Sequence, residues 1–133
     1  MSDPGRPRPP NEDPASSRLD DGLGGSPSVK RWFASTGYDT EPREEQTRRL
    51  ALLAEFCRHV GQDPDELVTS CMRTTKHGDR AISAKGRNAM QVAIEEFTAS
   101  TGRSGREGVV AGNQLRGFLI HNGVFIQGPV WRR

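Results

Sequence analysis

The sequence predicts an all-α fold, a compact bundle of four to five helices behind a disordered N-terminal tail. Three observations carry that prediction. Apolar residues recur at three- and four-residue steps around 50–60, 89–97 and 109–119, start and stop residues flank those stretches, and the first segment is too poor in apolar side chains to fold. At 133 residues the chain has room for one domain.

Met1 to Pro27 holds six of the nine prolines and four glycines, with only Leu19 and Leu23 as large aliphatics after Met1. Such a segment buries too little apolar surface to offset its ordering entropy, so residues 1–27 read as a disordered tail and 28–126 as the domain, followed by a short extension over 127–133. The start lacks the apolar centre of a secretory signal, and no later stretch approaches the length needed to span a bilayer. A soluble, cytoplasmic protein with no membrane contact, monomeric when free, is expected.

Val29 to Ser35 is a short amphipathic piece with Trp32 and Phe33, one or two helical turns before the break at Gly37. From Pro42 to Val60, Leu50, Leu53, Ala54, Phe56, Cys57 and Val60 mark one buried helical face. Glu41, Glu44 and Glu45 suit the positive end of its dipole, and Gly61 stops it. Asp63-Pro64-Asp65-Glu66 is a full start signal, with Asp63 as cap, Pro64 at the first helical position and Glu66 bonding back, for a short helix to about Met72. "RTTKHGDRAIS" is polar and basic with no apolar period and reads as a loop. Ala84 to Thr101 is again helical, through Ala89, Met90, Ala93, Ile94 and Phe97, and Gly102 ends it. Ser104-Gly105-Arg106-Glu107 is a second capping-box pattern, opening a last helix through Val109, Val110, Leu115, Phe118 and Leu119. Trp32 and Trp131 read as caps on the core.

The pair Asn122-Gly123 could turn a hairpin or stop this helix. Gly117-Phe118-Leu119-Ile120 does not alternate, whereas Leu115, Phe118, Leu119 and Asn122 keep the helical spacing, so Gly123 reads as the stop and Val124 to Ile126 as a short extended exit.

Charge is unevenly spread. The net charge is +2, yet the tail alone is −2, and from Met72 onward ten basic residues face four acidic ones. A basic half suggests a polyanion partner. Gripping DNA without chemistry needs arginines and lysines that reach phosphate oxygens, and the candidates are Lys76, Arg80, Lys85, Arg87, Arg103, Arg106 and Arg116. Arg116 suits a groove contact, because its fork fits a guanine edge, or else a salt bridge to Glu107 or a bond to a C-terminal carbonyl. No catalytic constellation, glycine-rich phosphate loop or metal site is expected. His59, His77 and His121 are scattered, and Cys57 and Cys71 lack paired ligand spacing and read as reduced, buried residues.

Two stretches, "LLAEFCRHVGQDPDELV" (Leu52 to Val68) and "AIEEFTASTGRSGREGVVAGNQLRGFLIHNGV" (Ala93 to Val124), resemble the core-binding, or SAM-like, domain of tyrosine recombinases and phage-type integrases. Leu115, Arg116 and Phe118 stand where that family carries a Leu-Arg-x-Phe-like motif before its exit into the catalytic domain. The resemblance covers about residues 28 to 126. It implies a SAM-like helical core that grips double-stranded DNA in integration or recombination, without a cofactor and with a recombinase or separate catalytic domain as possible partner. The chain departs from the family at Glu45, Arg49 and Glu107-Gly108, where relatives often carry Thr, Tyr and Ser or Thr. Nothing matches the catalytic half. Tyr38, the only tyrosine, precedes the first long helix and does not suit a nucleophile, so no enzymatic activity is expected. The competing reading is a small helical interaction protein whose apolar exit, Val124 to Val130 with Trp131, docks on a partner. Basic residues gathered on one face favour DNA, and scattered ones favour the interaction protein.

Overall fold

Pro27 presets the backbone for a helical first turn and Ser26 precedes it in an extended conformation, so the first helix, α1, runs Pro27–Thr36 to Gly37 in the left-handed conformation. It is ten residues long, more than the one or two turns expected. A computed structural model describes residues 23–103 and 105–127. The other α-helices are α2 (Arg43–Val60), α3 (Pro64–Ser70), α4 (Ala84–Ser100) and α5 (Gly105–Ile120), with short 3-10 turns at Leu23–Gly25 and Tyr38–Thr40.

Three of the start and stop signals act as the sequence predicts. Asp63 and Glu66 form the reciprocal box at the head of α3, at 2.8 and 2.9 Å, although α3 ends at Ser70. Gly61 is left-handed after α2, its N–H bonded to the Cys57 carbonyl at 2.8 Å. At the end of α5, Gly123 takes φ 92°, its N–H reaching the Ile120 carbonyl at 3.0 Å and that of Val124 the Leu119 carbonyl at 2.9 Å. That pairing is a helix stop and excludes the hairpin at this position. The side chain of Ser104, the expected cap of α5, lies outside the described residues.

The all-α expectation needs one correction. "RTTKHGDRAIS", read as a loop, contains an antiparallel hairpin, β1 (Met72–Thr74) and β2 (Arg80–Ile82), in the register Met72 with Ile82, Arg73 with Ala81 and Thr74 with Arg80. Three-residue strands are too short to show an alternating pattern, so local turn chemistry decides the outcome.

Among the described residues, five α-helices enclose one core. Trp32, Phe56, Phe97 and Phe118 are its largest buried side chains, with Leu53, Leu67, Ile94, Leu115 and Leu119 around them. Trp32 meets the Phe33, Tyr38 and Phe118 rings edge-on with centroids 5.3 to 5.7 Å apart, a favoured aromatic geometry. Polar bonds close the ends. The backbone N–H and hydroxyl of buried Ser28 both donate to the Asp65 carboxylate, joining α1 to α3. Beyond α5, Asn122 donates from Nδ2 to the Ser28 carbonyl at 3.0 Å and accepts on Oδ1 from Arg31 Nε at 2.9 Å.

A second correction concerns where the folded part begins. Leu23, placed in the tail by composition, is 3% exposed and belongs to the core, and Pro27 opens α1. The expected tail up to residue 22, and the extension beyond Gln127, lie outside the described residues. Composition alone suggests that removing Met1 to Pro27 leaves the melting temperature unchanged. With Leu23 in place, that truncation, and Leu23→Ala by itself, is expected to cost about 2 kcal/mol or more, measurable by urea unfolding. An unchanged midpoint for Leu23→Ala would remove Leu23 from the core.

Candidate nucleic-acid interface

The seven basic residues singled out in the sequence divide into three environments. Four of them, Lys76, Arg80, Lys85 and Arg87, lie on the hairpin and in the first turn of α4, and Arg73 of β1 joins them. The hairpin base is fixed to the helix start, since the Ser83 N–H bonds to the Cys71 carbonyl at 2.8 Å and the Ser83 hydroxyl caps α4 by accepting from the Gly86 N–H at 3.0 Å. Arg73, Lys76, Arg80 and Lys85 are exposed. Arg87 is half-buried and reaches the Phe125 carbonyl at 3.4 Å.

Arg103 and Arg106 lie at the other end of α4, about 26 Å away for a helix of this length. There they meet Arg48 and Arg49 of α2 in an open cleft of about 640 Å3, also lined by Leu52 and Glu107. Most of these charges are already matched. Glu41 takes both arms of Arg49 at 2.7 and 2.9 Å, which holds its carboxyl below the usual carboxylate range and raises the guanidinium pKa. The Arg49 guanidinium also covers the Tyr38 ring at 3.5 Å, using that tyrosine as a packing surface. Arg48 pairs with Glu45 at 3.1 Å and Arg103 with Glu55 at 3.3 Å.

Arg116 corrects the expectation of a groove contact. It is 7% exposed, and its guanidinium donates to Asn113 Oδ1 at 2.8 Å, not to Glu107 or a terminal carbonyl. Gly112 makes room for it, because a Cβ there would stand 2.9 Å from the Arg116 Nη2. Burial presses the Arg116 pKa below its ordinary value, with nearby Glu95 opposing. A side chain so enclosed cannot present its fork to a base edge.

No family model, curated protein or solved structure matches this chain.

The charge pattern therefore rests on the residues themselves. Between Arg73 and Arg87 five cations face one carboxylate, Asp79, and among the described residues no ion pair engages any of the five. Three of the four cleft arginines are each paired with a carboxylate, whereas none of the five hairpin-end cations is so paired among the described residues. Arg73, Arg48 and Arg49 are members of these groups that the candidate set missed. The cleft joins residues more than 50 positions apart with no local signature. Among the described residues no group of histidines, cysteines or acids could hold a metal ion. Cys57 and Cys71 are free and buried, and burial pushes the Cys57 thiol up to about 12, far from a reactive thiolate.

Proposed function

We propose that this protein is a module for binding double-stranded DNA, comparable in role to the core-binding domain that parts of its sequence resemble, and that it acts beside a recombinase or other partner without catalysing a reaction itself. The observation that carries this reading is the group of five cations at the hairpin end, unmatched by carboxylates and mostly exposed. Such cations release counterions from duplex DNA when they approach its phosphates.

The test is a titration against salt. With Arg73, Arg80, Lys85 and Arg87 on four phosphates, the slope of log K against log salt is expected near −4, at about −0.9 per contact. Alanine at any one of them should reduce its magnitude by about one and weaken all sequences alike. Arg116→Ala should leave the slope unchanged, since its guanidinium is enclosed. An absence of salt-dependent binding at low ionic strength would favour the interaction-protein reading. Two observations support that second reading: the seven candidate cations divide among three environments and do not share one face, and Phe125 in the exit is 68% exposed. Its neighbours do not, because Val124 and Ile126 are buried in this chain's own core, while Val130 and Trp131 lie outside the described residues.

A further inference from the structure

The hairpin carries more than charge. Its five-residue connection is bonded to itself: the Thr75 N–H donates to the Asp79 carbonyl at 2.7 Å, and the Thr75 carbonyl accepts from the Gly78 N–H at 2.9 Å. The Thr75 hydroxyl accepts from the backbone N–H groups of His77 at 3.3 Å and Asp79 at 3.1 Å. Gly78 takes φ 87°, which a side chain would strain. Yet Lys76, His77, Gly78, Asp79 and Arg80 are all exposed. An element ordered by its own turn, and not by burial, has already met the entropic cost of being held in one shape, which is what a presenting element requires.

We propose that this hairpin is a wing that enters the major groove of duplex DNA tip first, with Lys76 and His77 at the base edges and Lys85 and Arg87 on phosphates beside the groove, an inference that rests on the DNA-binding reading above. The dimensions fit. Two strands lie about 4.8 Å apart and three residues extend about 10 Å, against a major groove about 12 Å wide and 8.5 Å deep. The minor groove, about 6 Å wide, does not admit a two-stranded ribbon. The register adds a second constraint. Arg80 pairs with Thr74 and shares its face, whereas Arg73 pairs with Ala81 and projects from the opposite face. A ribbon inserted tip first has a phosphate strand on either side, and each face of this one offers a guanidinium. At the tip Lys76 suits the guanine acceptors, and the Asp79 carboxylate, which a phosphate would repel, suits the amino group of cytosine.

The experiment compares binding of the full chain to two duplexes of one sequence, one with ordinary cytosine and one with glucosylated 5-hydroxymethylcytosine. The sugar fills the major groove and leaves the phosphates as they were. Binding to the glucosylated duplex is expected to be weaker by about tenfold or more, the equivalent of one good base contact. The double variant Lys76→Ala, His77→Ala should bind the plain duplex less tightly and no longer distinguish the two. Both side chains are exposed, so an unchanged helical circular dichroism signal and melting temperature will verify its fold. Equal, salt-dependent binding of the parent to both duplexes overturns the wing and leaves the DNA-binding reading standing. Discrimination that persists in the double variant assigns the groove contact to another element and also overturns the wing. Absence of salt-dependent binding to either duplex removes both readings.

Discussion

Gly86→Ala is expected to destabilise the protein by about 2 to 3 kcal/mol, although Ala is the better helix former by about 1 kcal/mol. Gly86 lies in the first turn of α4, where a Cβ would stand 2.1 Å from the Ser70 carbonyl oxygen and within 3.3 Å of the Cys71 Cα. Both obstacles are backbone at the end of α3, so no rotamer change relieves them and the two helices must separate by about an ångström or more. That movement also strains the bond from the Ser83 N–H to the Cys71 carbonyl, on which the hairpin base rests. Gly117 in α5 is the comparison. A Cβ there meets nothing within 4 Å, and Gly117→Ala is expected to stabilise by about 0.5 to 1 kcal/mol. Urea unfolding of both variants decides the matter, and a Gly86→Ala midpoint at or above that of the parent would disprove the close approach of α3 and α4.

Trp32→Ala is expected to cost about 3 to 5 kcal/mol, a large fraction of the stability of a domain this size. Trp32 is 1% exposed, and the Phe33, Tyr38 and Phe118 rings all rest on it. Its removal leaves a cavity that α1 cannot fill, because the Ser28–Asp65 and Asn122–Ser28 bonds fix that helix to α3 and to the end of α5. Calorimetry should show the melting transition falling by well over 10 °C, at about 4 °C or more per kcal/mol. A Trp32→Ala protein that melts like the parent would show that the aromatic cluster does not hold α1 in place.

The helices were legible because their signals are local. Asp63 and Glu66 sit three residues apart, Gly61 and Gly123 follow the last periodic residue, and Leu53, Phe56 and Cys57 repeat on one face. What the sequence concealed depends on partners distant along the chain or on very short elements. Leu23 looks like part of a polar segment until the body of the domain covers it. The hairpin has three residues per strand and a turn governed by one threonine and one glycine. The candidate site was legible in part. Lys76, Arg80, Lys85 and Arg87 lie within twelve residues and fold into one region, while Arg116 has the same charge and a helical position that turns it inward over Gly112. Residue type alone cannot separate an arginine facing water from one packed on its own helix, since the long side chain suits both.

The contact of Asn122 with the Ser28 carbonyl joins residues 94 apart in sequence. Topologically, the folded segment is thus a ring closed by a noncovalent clasp. The order in which the helices are written along the chain is therefore separable from the way they pack. A circular permutant opened at the exposed Gly61 turn, its old ends joined by a linker, would keep every helix whole and turn the clasp from a terminal contact into an internal one.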